Sequence, residues 1–119
     1  MTLSGYDDFC RSLAHSTHVI QWGDSSVWKI GGKVFAIAGW SPSRDLAFTF
    51  KCSPASFDIL KAQPGLRPAP YLASRGLKWI QRVNAETMSD VALKDYLRQS
   101  RFLAAMTLPR KQRAELGIV

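Results

Sequence analysis

Histidine, cysteine and carboxylate side chains build most catalytic and metal sites, and this chain carries few of them. His15 and His18 are the only histidines. They stand three residues apart, and no acidic or Cys residue beside them completes a metal-ligand set. Cys10 and Cys52 are the only cysteines, too few and too far apart for a disulfide scaffold or a zinc site, and are expected to be buried thiols. Asp7 and Asp8 are adjacent, so on a helix they stand roughly 100° apart. Gly-x-Ser-x-Gly, His-Glu-x-x-His, a Walker A loop and a Rossmann fingerprint are all absent, and Gly31-Gly32 lacks the downstream helix of a phosphate loop. The expectation is no catalytic residue, no metal and no cofactor.

Anion binding is the chemistry these residues do offer. The 119 residues include 16 Lys and Arg against 9 Asp and Glu, a net charge of +7. Residues 1 to 60 hold 5 of each sign, and residues 61 to 119 hold 11 basic and 4 acidic, so the whole excess lies in the second half. Four basic groups stand there: Arg67 to Arg75, then Lys78 and Arg82, then Lys94, Arg98 and Arg101, and finally Arg110, Lys111 and Arg113. Seven of the eleven are Arg, which suits bidentate phosphate or guanine contacts better than Lys does. Tyr71, between Arg67 and Arg75, is placed to stack on bases if exposed. Lys29 and Lys33 flank Gly31-Gly32 and could enter a groove as a β-wing. Trp28 and Trp79 are expected to pack in the core. Val91 and Phe102 fall on the basic side of the last long helix, either beneath the C-terminal segment or as an apolar spot in a binding surface.

The elements that must position these groups follow from periodicity. Ser4 to Ser16 reads as a helix with a Ser4/Asp7 capping box, Asp7 and Asp8 in its first turn and the histidines at its end. Strands over Val27–Ile30 and Lys33–Ala38 join through Gly31-Gly32 as a hairpin. A loop over Gly39–Asp45 leads to a strand over Leu46–Cys52, giving at least three antiparallel strands. Ser53-Pro54 starts a helix ending near Gln63. Residues 64 to 76, with three Pro and two Gly, form a loop that cannot be a central strand, followed by a strand from about Leu77 to Val83. Ser89 opens a helix to about Met106, and Pro109 a last short helix ended by Gly117. The order is that of a single α+β domain over 1–119. At 46% hydrophobic with 13 aromatics, the chain can bury a core. Its longest strongly apolar stretch, Val34 to Ala38, is a fraction of the roughly 20 residues a membrane span needs. The N-terminus lacks the pattern of a leader, so a cytoplasmic protein is expected.

Four stretches together resemble the MmcQ/YjbR proteins of bacteria: Val27-Trp-Lys-Ile-Gly-Gly-Lys-Val-Phe-Ala36, Phe48-Thr-Phe-Lys-Cys-Ser-Pro54, Pro68-Ala-Pro-Tyr-Leu-Ala-Ser-Arg-Gly-Leu-Lys-Trp79 and Leu108-Pro-Arg-Lys. The resemblance implies an antiparallel sheet with helices packed on one side, as in CyaY and frataxin, and a general assignment to DNA binding without a catalytic motif. Frataxins hold iron on an acidic ridge, whereas here the matching region offers only Asp7, Asp8 and Asp24, so iron is not expected. The leading expectation is a monomer or weak dimer that binds double-stranded DNA through phosphates with little sequence preference. Its alternative is an interaction or regulatory module for an acidic protein or a small anionic ligand, with the loop 64–76 as binding edge. An enzyme acting on a phosphorylated small molecule would need a deep pocket near Arg67, Tyr71 and Arg75.

Overall fold

Apolar–polar alternation in the β-rich runs produces six antiparallel strands in a computed structural model that describes residues 1–40 and 45–118. They are β1 (Ser16–Gln21), β2 (Ser25–Ile30), β3 (Lys33–Trp40), β4 (Leu46–Lys51), β5 (Leu66–Pro68) and β6 (Trp79–Arg82), in the order β1-β2-β3-β4-β6-β5. The helices are α1 (Leu3–Ser12), α2 (Pro54–Leu60), α3 (Asp90–Ala105) and α4 (Arg110–Glu115). Residues 41–44 of the expected loop lie outside the described residues, and β3 runs two residues further than its expected end at Ala38.

One row of paired residues, His18, Trp28, Ala36, Phe50, Ile80 and Pro68, crosses all six strands. Trp28, Ala36, Phe50 and Ile80 share one core with Tyr6 and Cys10 of α1, Phe57 and Leu60 of α2, Leu93 and Leu97 of α3, and Leu108. The fold is α+β with helices on that face. Each large apolar side chain so buried contributes about 1.5–3 kcal/mol. α3 is seated by one hydroxyl. The ladder slips between Trp28 and Lys29, leaving Phe35 as the extra residue of a β-bulge. Ser100 Oγ donates to the Phe35 carbonyl at 2.6 Å and accepts from the Lys51 N–H at 2.8 Å. The opposite face carries the row Val19, Val27, Ile37, Thr49, Gln81 and Arg67.

Three departures from expectation have local causes. α1 is capped by Thr2, whose side chain accepts from the Gly5 N–H, so the Ser4/Asp7 box is unused and Asp7 and Asp8 lie beyond the first turn. The chain leaves the helix at Leu13, turns through His15 at φ 63°, and its β-branched run Thr17, Val19, Ile20 becomes β1, the strand that sequence periodicity missed. His18 therefore sits on a strand. β5 is a three-residue strand inside the expected loop. It lies at the sheet edge, where Pro68 forfeits no ladder bond.

Candidate nucleic-acid interface

Strand register turns these positions into a charge map. Moving from the Trp28 row in one direction reaches Lys29 and Lys33 on either side of the β2–β3 turn, and Lys51 at the end of β4. Lys78 follows, its carbonyl accepting from the Cys52 N–H at 3.0 Å. The helices finish at the same end. Gln112 Nε2 donates to the Gly31 carbonyl at 3.2 Å, and Arg101 Nε donates to the Ala14 carbonyl, just past α1, at 2.9 Å. The segments gathered there, 12–17, 29–34, 50–54, 69–79 and 101–118, carry nine Lys and Arg and a single acid, Glu115. Moving the other way reaches Asp24, Asp45, Glu86 and Asp90.

Ion pairing follows the same division. Arg11 pairs with Asp8, Lys61 with Asp58, Arg98 with Asp95 and Arg82 with Asp90, at 2.6 to 3.3 Å. All four pairs lie outside the basic end. Among the described residues none of its nine cations is paired with a carboxylate. Lys33, Arg75, Lys78, Arg110 and Lys111 are exposed there, and Lys29, Lys51, Arg101 and Arg113 are half-buried. Lys51 was not among the sequence candidates. Its signal, a cation closing a strand just before the Ser53-Pro54 helix start, acquires meaning only once register places it beside Lys33 and Lys78.

Several expected contacts need correction. Arg82 is 4% exposed; Nη2 donates to Asp90 Oδ1 at 2.9 Å and Nε to the Asn84 carbonyl, so this arginine fastens the start of α3 to β6 and is closed to a ligand. The Gly31-Gly32 tip is no free wing, because Leu108 and Gln112 sit against Gly31. Its lysines instead add to the α4 cations. Arg101 clamps the α1–β1 turn. Arg67 lies on the edge strand β5, midway between the two charged ends, where Nε donates to Gln81 Oε1 at 2.7 Å. Lys94 and Arg98 stand over the Phe9 ring at 5.7 and 5.3 Å, along the flank of α3. Val91 and Phe102 on the same helix are 73% and 55% exposed, uncovered by the C-terminal segment. The four basic groups thus do not gather whole on one face, although each contributes at least one member to that end: Arg75, Lys78, Arg101, and Arg110, Lys111 and Arg113.

The sequence matches the YjbR family over residues 11–103. The chain belongs to the YjbR family. A solved structure from Pseudomonas syringae, determined by a structural genomics consortium, aligns with a TM-score of 0.74 at 17% identity, over 87% of this chain and 99% of that one. At such identity the likeness is one of fold. No curated protein matches.

The family match stops short of α4, so Arg110, Lys111 and Arg113 lie outside it. It does include most of a polar cluster that sequence reading missed, because its members are scattered over 7 to 28. Asp7 Oδ1 accepts from Ser26 Oγ at 2.6 Å and from Trp28 Nε1 at 2.9 Å, while His18 Nε2 is 2.8 Å from Ser26 Oγ. A nucleophilic triad needs the carboxylate on the imidazole and an accessible serine. Here the carboxylate holds the serine, which is 1% exposed, so the cluster ties α1 to β1 and β2. Burial pushes the Cys10 thiol up to about 12 and the Cys52 thiol to about 11, which keeps both un-ionised and unreactive at neutral pH. Among the described residues no cluster of three His, Cys, Asp or Glu could hold a metal ion, and no helix is long and apolar enough to cross a membrane.

Proposed function

We propose that this YjbR-family protein binds double-stranded DNA through the basic end of its sheet, by phosphate contacts and with little sequence preference. One observation supports the reading above the rest: nine cations and one acid share that end, and among the described residues none of those cations has a carboxylate partner. Lys33, Lys78, Arg110 and Lys111 make the principal contacts, with Lys29, Arg75 and Arg113 beside them. A cytoplasmic monomer or weak dimer, with no metal, cofactor or catalytic step, completes the proposal. Neutralising about five phosphates gives a slope of log K against log salt of roughly −4 to −5. Anisotropy titrations of a labelled 20-bp duplex at 50 and 200 mM salt measure it, and absence of binding at 50 mM salt sinks the reading.

A second reading, an acidic protein partner, draws support from a shallow groove of about 290 Å³ lined by Ser53, Arg98, Gln99, Phe102 and Leu103, which sets exposed apolar surface beside a cation. A pull-down that survives nuclease treatment favours this partner over DNA.

A further inference from the structure

Tyr71 combines two properties that rarely meet. It is 85% exposed, and its backbone lies at φ 72°, in the region that bulky L-residues avoid. The Leu72 N–H donates to the Pro70 carbonyl at 2.8 Å. Tyr71 is therefore the apex of a γ-turn with positive central φ, a rare and strained turn. Such a conformation persists only where its surroundings over-determine it. Here Ala69 is buried and its N–H donates to the Trp79 carbonyl (3.0 Å), the Ala73 N–H to the Ala69 carbonyl (3.0 Å), and the Leu77 N–H to the Leu72 carbonyl (3.1 Å). These bonds hold an aromatic ring outward on a rigid loop. Arg75 lies within the turn closed between Leu72 and Leu77, Lys78 follows it, and both are exposed. Segment 69–79 contains no acidic residue.

We infer that Tyr71 is a stacking platform for an unpaired base, and that the loop 69–78 takes a single-stranded nucleic-acid segment, with Arg75 and Lys78 on the adjoining phosphates. An exposed ring sharing one acid-free loop with two exposed cations suits a ligand that is both aromatic and anionic, as a nucleotide is, whereas a stacked duplex presents no free base face. The inference deepens the nucleic-acid reading above and rests on it. It also gives the strain a use: an ordered loop has no ordering entropy left to lose when the base docks.

The test measures anisotropy of a labelled 15-nucleotide single strand and of a 20-bp duplex, at one salt concentration, for the wild type, Tyr71→Ala and Tyr71→Phe. Stacking contributes about 1–3 kcal/mol per base, so Tyr71→Ala weakens single-strand binding about 5- to 150-fold. Tyr71→Phe retains it, and duplex affinity stays within about twofold for both. Thermal unfolding establishes that both variants keep the wild-type fold. Single-strand binding that Tyr71→Ala leaves intact, equal loss on both substrates, or wild-type binding to duplex alone overturns the inference while leaving the duplex reading in place. Wild-type binding to the single strand alone overturns the duplex reading, and binding to neither overturns both.

Discussion

Gly31→Ala tests whether α4, and with it Arg110 and Lys111, is fixed in place by the β2–β3 turn. Gly31 and Gly32 both have positive φ, 56° and 83°, so an alanine at either costs about 1–2 kcal/mol of backbone strain. They differ in what surrounds them. A Cβ on Gly31 falls 2.7 Å from Leu108 Cδ1 and 3.0 Å from Gln112 Nε2, while a Cβ on Gly32 meets nothing within 4 Å. Leu108 is buried in the core and cannot swing into solvent, so Gly31→Ala adds an overpacking cost of about 1–3 kcal/mol. With an unfolding entropy of about 2.1 cal/mol/K per residue, a chain of 119 residues loses roughly 4 °C in Tm per kcal/mol. Gly31→Ala is therefore expected to melt about 4–12 °C below Gly32→Ala. Differential scanning calorimetry on the two variants measures the gap. The same displacement moves Arg110 and Lys111 away from Lys33, so duplex affinity falls in the Gly31 variant and holds in the Gly32 one. Equal melting temperatures refute the seating of α4 and the placement of its cations.

Other consequences of the packing are open to measurement. The double variant Arg110→Gln/Lys111→Gln is expected to shrink the salt slope for duplex binding by about 2, whereas Lys61→Gln/Lys94→Gln, equal in charge but away from the basic end, leaves it unchanged; equal effects mean that net charge alone governs binding. Ser100→Ala strands the Phe35 carbonyl and the Lys51 N–H inside the fold and costs about 2–4 kcal/mol, read by urea denaturation, and a loss below about 1 kcal/mol removes the hydroxyl from its seating role. The thiols are held neutral by burial, Cys10 up to about 12 and Cys52 to about 11 from an ordinary 9.0. Their contribution to stability is fully present below pH 9 and is lost as pH rises toward the folded values. Melting temperature is accordingly expected to fall from pH 9 upward, and less steeply in a Cys10→Ala variant, while a thiol reagent at pH 8 labels the native protein far more slowly than the unfolded chain.

Most of the architecture was legible where elements are long or periodic. α3 announces itself through Ser89, which accepts from the Ala92 N–H, and through the recurrence of Leu93, Leu97, Ser100 and Ala104 on its buried side. β1 escaped because it sits at the sheet edge, where Thr17, His18 and Ile20 are all exposed and burial imposes no clean alternation. The binding candidates were harder. Strand alternation correctly places Arg82 on the face of Ile80, but nothing local reveals that Asp90, eight residues on, will meet it there once α3 packs down. The two charged ends are non-local by nature. They emerge only from register propagated across six strands, which assigns Lys29, Lys51 and Lys78 to one end and Asp24 and Glu86 to the other.

Part of the basic end answers needs internal to the fold. The Met1 amino group reaches Asp90 at the start of α3, 3.1 Å away, while Arg101 near the end of α3 reaches the Ala14 carbonyl, so α1 and α3 run parallel and finish together. Two helix C-termini concentrate unpaired carbonyls and negative partial charge, which cations stabilise. Arg101 meets that need directly, and Arg113 folds back to within 3.5 Å of the Met106 sulfur. Lys33, Arg75 and Lys78 stand on turns and loops, and Arg110 and Lys111 open α4 at its positive end, where the helix dipole disfavours them. Elsewhere in the chain a cation is usually matched by a nearby carboxylate: Arg11, Lys61 and Arg98 each have an acid three residues before them. Among the described residues the basic end abandons that arrangement and accepts mutual repulsion that the fold does not need. On the proposed function, a counter-charge from outside the chain would relieve it, and a row of duplex phosphates would supply that charge in the extended form five separated cations require.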